Sequence, residues 1–191
     1  MAQANKDAVL EAHAQNRAIT SLLAAIPDSI LDAAYDRAEL TLTIAKDQIR
    51  EAAAVLQRAG YNFLEDVTCV DWYPSEPRFH VVYHILSHSL KERVRLVAQV
   101  DSVDPVIESI TPVWPSANFH EREVWDLFGV RFSGHPNLRR IMMPEEWQGH
   151  PLRRIIRWRA IGKWTTYRNS LPPPRCWSRV PRRVRATRPW S

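Results

Sequence analysis

A chain of 191 residues, 45% hydrophobic and 25% charged, has room for one compact domain with a sizeable core plus terminal extensions. No apolar run approaches the roughly 18–20 residues of a membrane-spanning helix, and the opening MAQANKDAVLEAHAQNR lacks the basic region and apolar stretch of a signal peptide. The net charge of +5 points toward nucleic acid, but residues 155–191 hold ten Lys/Arg and no Asp or Glu, leaving 16 basic and 21 acidic residues in 1–154. The body is therefore acidic, and a nucleic-acid reading rests on the tail alone.

Residues 5–25 read as one amphipathic helix, with Val9, Leu10, Ile19, Leu22, Leu23 and Ile26 apolar and Pro27 stopping it. Glu39–Ala45 alternates Leu40, Leu42 and Ile44, the period of a half-buried strand. Asp47–Ala59 has helical spacing through Ile49, Ala53, Val55 and Leu56, with Gly60 placed to close it. Three strand candidates follow, Phe63–Tyr73, Arg78–Leu86 and Arg93–Val100, and the links between them suit antiparallel hairpins. The order α-β-α-β-β-β predicts an α+β fold: a mainly antiparallel sheet with helices on one face, followed by an extended, loop-rich C-terminal segment. Its divisions are an N-terminal helix (1–27), a core domain (28–118), a helix with a docking segment (119–154) and the basic tail (155–191).

Pro105, Pro112 and Pro115 break the chain before a short helix. Asn118 can cap it with Glu121 reaching back, Arg122 and Asp126 stand four apart as a potential ion pair, and Gly129 ends it. Glu121, Arg122, Glu123 and Asp126 invite a general acid/base reading. Without a Ser/Cys nucleophile or a Gly-rich phosphate loop, a charged helix face is the simpler account. His120 and Glu123 lack an HExxH partner. The even spacing of His80, His84 and His88 suits one strand face, but His88 falls in the turn after it, so a solvated or partner-facing stripe is a simpler reading than a metal set. Trp72 and Trp125 suit core or interface packing. Cys69 and Cys176 form no CxxC, which fits a reducing cytoplasm and gives no iron–sulfur or zinc motif. Five glycines build no GxGxxG, so no nucleotide site is legible.

The densest signal is Phe119–Arg153, FHEREVWDLFGVRFSGHPNLRRIMMPEEWQGHPLR. Together with Asp71-Trp72-Tyr73-Pro74, Pro77-Arg78-Phe79, Val81-Val82-Tyr83-His84 and Trp114–Asn118, it resembles the C-subunit family of proton-pumping NADH:quinone oxidoreductase (respiratory complex I). The resemblance runs from about Leu22 to Arg154. It implies a scaffold subunit of an oxidoreductase, with no catalytic residue of its own and no cofactor or metal bound by this chain. FMN, iron–sulfur clusters, NADH and quinone would belong to other subunits. The implied partners are those subunits, chiefly the large quinone-site subunit and its peripheral-arm neighbours. The implied place is the cytoplasmic face of a bacterial inner membrane, reached through the complex. Nucleic acid is not expected as a partner.

The signature residues expected to dock are Glu121, Arg122, Glu123, Asp126, Phe128, Gly129, Gly134, His135, Pro136, Arg139, Pro144, Trp147, Gly149, Pro151, Leu152 and Arg153. Arg139, Arg140 and Arg153 offer forked donors for a partner's carboxylates. A homologous subunit of an energy-converting hydrogenase is the alternative, which neighbouring genes would distinguish. A basic nucleic-acid-binding protein is a further one, tested by removing the tail.

Family members continue after Pro151-Leu152-Arg153 with a basic residue and then Asp-Tyr-Pro, whereas here Arg154 precedes Ile155-Ile156-Arg157. Restoring one G after the Arg154 codon lets Ile155–Trp164 be read as Asp-Tyr-Pro-Val-Ala-Gly-Asp-Arg-Glu-Met, given suitable codons. The hypothesis is a one-base deletion there, which makes 155–191 a non-native, disordered tail. Resequencing the gene tests it: codons incompatible with the restored reading would end it.

Overall fold

The computed structural model describes residues 2–154, with side chains from residue 6 onward. The tail at 155–191, and the expectation of disorder there, lie outside the described residues.

Two helices open the chain, α1 (Ala2–Ala12) and α2 (Arg17–Ala25). The single helix expected over 5–25 is broken because Asn16 adopts extended backbone and its side chain accepts from the Ala18 N–H, starting α2 afresh. A hairpin follows, β1 (Ile30–Asp36) with β2 (Glu39–Ile44), then a 3-10 turn (Lys46–Gln48) leading into α3 (Ile49–Arg58). Arg37 and Ala38 both take positive φ, the mirror-image turn a two-residue hairpin needs. The meander β3 (Phe63–Asp71), β4 (Phe79–Ser87) and β5 (Glu92–Val100) completes the main sheet. Beyond it lie β6 (Val106–Glu108), α4 (Ala117–Phe128) and β7 (Arg131–Ser133), with β6 and β7 forming a small parallel pair.

The main sheet runs β1-β2-β5-β4-β3, antiparallel everywhere except at the β2–β5 seam. Register explains its one-sided core. Leu42 lies opposite Leu96, Leu96 opposite Tyr83, and Tyr83 opposite Val67, so one row of side chains crosses four strands. Each of the four is buried, as are Leu40, Ile44, Phe79, Val81, Ile85, Val94 and Ala98 on the same face. Ile19 and Leu22 of α2, Ile49, Ala52, Ala53 and Leu56 of α3, and Ala117 and Val124 of α4 join that cluster. The α+β class and the mainly antiparallel sheet follow the sequence expectation.

The sheet's other face is mixed, with Val82 and Val97 at its centre and charged side chains around them. Glu39 holds Arg95 and lies 3.7 Å from His84, while Asp66 meets His120 of α4 at 3.2 Å. His80 and His84 stand on this face, but His88 lies past the end of β4, in the turn. Among the described residues, no three His, Cys, Asp or Glu side chains gather as a metal set. None of their helices is long and apolar enough to cross a membrane.

Candidate functional site

Helix α4 organises the signature segment. Its end is set by Gly129, whose left-handed φ of 76° turns the chain. A Cβ there would clash with the His150 ring and sit 2.5 Å from the Arg153 guanidinium. That close approach lets the last described stretch return over the helix terminus. Arg153 donates to the Phe128 carbonyl at 2.6 Å and to the Gly129 carbonyl at 3.3 Å, filling acceptors that the helix end leaves open. The Leu152 N–H donates to the Leu127 carbonyl at 3.0 Å.

Two acidic residues of α4 are fully buried, and each ties down a different piece of chain. One Asp126 oxygen accepts from three consecutive amides, Ile141 at 3.0 Å and Met142 and Met143 at 2.8 Å. The other oxygen pairs with Arg140, which also donates to the Trp147 and Gly149 carbonyls and lies over the Trp125 ring. Burial alone would raise the Asp126 carboxyl, but these donors outweigh it and hold it below the usual range. His150 donates through Nδ1 to the Asp126 carbonyl at 3.0 Å. Residues 134–154, which contain no helix or strand, thus form a strap wound around one carboxylate.

Glu121 takes the other direction. Its oxygens accept from Ser109 Oγ at 2.6 Å and the Ile110 N–H at 2.7 Å, fixing the link between β6 and α4. Burial pushes its carboxyl up to about 7, against those donors and the Arg50 charge. Arg50 itself donates to the Ser109 and Ser133 carbonyls, crossing from α3 to both small strands, and lies 2.9 Å from the Cβ position of Gly134.

A third buried carboxylate anchors the strap's far end. Asp71, at the end of β3, takes both Arg78 donors at 2.8 and 2.7 Å and the amides of Tyr73 and Arg154 at 2.9 Å. Burial opposes ionisation, yet the Arg78 bonds and the two amides bring the carboxyl down to about 2. Arg78 lies over the Tyr73 and Phe79 rings, and Arg153 lies over Phe79 as well.

Several sequence expectations are corrected by this geometry. Helix α4 begins one residue before Asn118, so Asn118 is not its cap, and Glu121 reaches Ser109 and Ile110 rather than back to the helix start. Arg122 does not pair with Asp126; it donates to the Arg139 and Arg140 carbonyls and lies 6.0 Å over the Phe119 ring. Arg140 and Arg153 point inward, leaving Arg139 as the exposed arginine of the three. His135 bridges locally, accepting from the Asn137 N–H and thereby presenting Nε2–H to the Asn118 carbonyl at 3.2 Å. Pro151 is buried, while Glu123, Pro136 and Pro144 are exposed. Around them stand exposed apolar side chains: Phe119 (62% exposed), Ile141 (40%), Met142 (60%) and Leu152 (48%).

Comparison with known proteins gives a consistent answer. The family model described as respiratory-chain NADH dehydrogenase, 30 Kd subunit, matches residues 42–160. The C-subunit of NADH-quinone oxidoreductase from Roseiflexus sp. (strain RS-1) is 46% identical over 138 residues, spanning 71% of this chain and 79% of that one. The protein of the same name from Citrifermentans bemidjiense is 44% identical over 140 residues, spanning 73% and 87%. Among solved structures, the trypsin-resistant fragment of Nqo5 aligns with a TM-score of 0.57 and 32% identity, over 64% of this chain and 99% of that one. A chain of the membrane-bound sulfane sulfur reductase, an archaeal respiratory membrane complex, aligns with a TM-score of 0.68 over 85% of this chain and 97% of that one. At 20% identity, that likeness is one of fold.

Proposed function

The chain belongs to the family of the 30 kDa subunit of respiratory-chain NADH dehydrogenase, and from that premise we propose that it is a non-catalytic scaffold of a peripheral arm, docking through its strap. Membership makes it one subunit of an NADH-quinone oxidoreductase, whose other subunits are its partners. In this reading the strap lies against the large quinone-site subunit, at the cytoplasmic face of the membrane. Electrons pass from NADH through FMN and iron–sulfur clusters held elsewhere to quinone, while this chain carries none of these groups.

One observation carries the docking reading. The strap's buried charged groups are consumed within the chain, and what it presents outward includes Ile141, Met142 and Leu152, with Phe119 of α4 exposed as well. Exposed apolar side chains on a segment whose arginines are paired internally match the centre of a protein interface better than a catalytic cleft. Relatives named for quinone oxidoreductase favour that complex over a hydrogenase-type one.

The test is co-purification with the large quinone-site subunit. Ile141→Asp with Met142→Asp leaves the Asp126 nest intact, because only the backbone amides of those residues enter it. Association is expected to weaken by at least roughly 30-fold, about 2 kcal/mol or more. Val103→Asp, at an exposed valine outside the strap, serves as the control and should bind as wild type. Undiminished binding of the double variant would refute docking through the strap.

A further inference from the structure

Glu121 is fully enclosed, and among the described residues no cation lies within salt-bridge distance of it, so its direct partners are neutral donors. The hydroxyl donor is not isolated. Ser109 Oγ lies 2.8 Å from Thr111 Oγ1, and also accepts from the Thr111 N–H at 3.2 Å. Thr111 is only partly buried. A line of two hydroxyls therefore runs from the enclosed carboxyl toward the surface. The Tyr83 hydroxyl, whose ionisation is opposed first by burial and then by the Glu121 charge, has no hydrogen-bond partner among the described residues and offers the carboxylate no donor.

We propose that Glu121 is a proton-accepting switch, loaded through the Ser109–Thr111 hydroxyl pair, whose hydrogen bonds reverse direction when the proton arrives. With Glu121 ionised, Thr111 donates to Ser109 and Ser109 donates to Oε2, while Ile110 N–H holds Oε1. A hydronium ion at the surface gives its proton to Thr111 Oγ1 and is left as water. The Thr111 proton then passes to Ser109, and the Ser109 proton to Oε2. The carboxylic acid now donates to Ser109, and Ser109 donates to Thr111. No bond other than O–H is made or broken. Oε1 keeps the Ile110 amide in both states, so the link before α4 stays in place while the amide's bond to charge weakens to a bond to a neutral carbonyl.

The charged and titratable groups facing Glu121 are Arg50 from α3, itself engaged by Glu108 of β6 at 3.6 Å, and Tyr83 from β4. Arg50 favours the carboxylate, and enclosure among apolar side chains favours the acid; the carboxyl, pushed up to about 7, reflects the second winning. The sign of the linkage follows. A carboxyl raised in the folded state contributes stability that is complete below its ordinary value of 4.5 and is lost as pH rises through about 7.

The test is carbon-13 NMR of the Glu121 carboxyl in the full chain between about pH 4 and 9, a window that brackets both the ordinary and the raised value. A midpoint near 7 is expected, with the Ile110 amide shift moving at the same midpoint. Ser109→Ala removes a donor to the charged form and should raise the midpoint by about one unit. Thr111→Val should lower it, because the acid form then leaves the Ser109 proton without an acceptor. Opposed shifts mark a hydroxyl relay, since burial alone gives no reason for the two variants to differ in sign. A midpoint in the ordinary carboxylate range, an Ile110 amide that does not follow, or shifts of one sign in both variants would overturn the proposal.

Discussion

Asp126→Ala is expected to release the strap and to destabilise the domain by about 3–5 kcal/mol, the usual cost of removing one member of a buried ion pair. The reason lies in what stays behind. Arg140 would remain half-buried opposite no carboxylate, and three successive amides would lose their common acceptor. Arg140 would still reach the Trp147 and Gly149 carbonyls, which cannot neutralise it. For a domain of this size the loss corresponds to a fall in Tm of roughly 10 °C. Hydrogen exchange locates it: the Ile141, Met142 and Met143 amides should lose protection first, and Asp126→Asn, retaining one acceptor oxygen, should fall between. Wild-type protection at those three amides in Asp126→Ala would contradict the account of the strap as wound on this carboxylate.

The second large effect is expected from Asp71→Asn. Asp71 is 4% exposed and Arg78 6% exposed, and Arg153 shares the Phe79 ring with Arg78. Neutralising the carboxylate bonded to Arg78 leaves two guanidinium groups over one ring, at a cost again of about 3–5 kcal/mol. The wild-type pH profile carries the same signature. A carboxyl brought down to about 2 contributes stability present above its ordinary value of 3.8 and lost as pH falls through about 2. Denaturant unfolding at about pH 6 and about pH 3 should therefore show a steeper acid loss for wild type than for Asp71→Asn. Equal acid slopes would mean that the pair stores no pH-dependent stability.

The regular elements with clean alternation or helical spacing could be read from residues alone. Leu40-Leu42-Ile44, Val94-Leu96-Ala98-Val100 and the Ile49–Leu56 face each bury the residues that the period selects. Strand β1 could not be read, because Ile30–Asp36 buries only Ile30 and Ala33 and carries a register shift between Ile30 and Asp32. Its sequence has no period to detect. In the site, the signature located the right segment but not the direction of its charges. Glu121, Asp126 and Arg153 act on partners 11 to 25 positions away, and Asp71 reaches the Arg154 amide across 83. Local spacing favoured the nearer pair, Arg122 with Asp126, which the buried donors displaced. Asp71–Arg78 carried a signal in retrospect, an acid and a base flanking a proline-rich hairpin, but nothing local marked it as buried.

The parallel seam between β2 and β5 bears on how the chain reaches this state. The meander β3–β5 and the hairpin β1–β2 can each form from near neighbours, but joining them brings Leu40 beside Val94, 54 positions on. Closing a loop of that length costs about 3.5 kcal/mol of chain entropy before the seam returns any burial. The seam, rather than the meander or the hairpin, is then expected to be the slow event, and the rows Leu40-Leu42-Ile44 and Val94-Leu96-Ala98 must meet in register for it to hold. Until they do, both strands show open edges to any other chain nearby. A nascent subunit is thus most vulnerable to misassembly in the interval before its fifth strand has been made and seated.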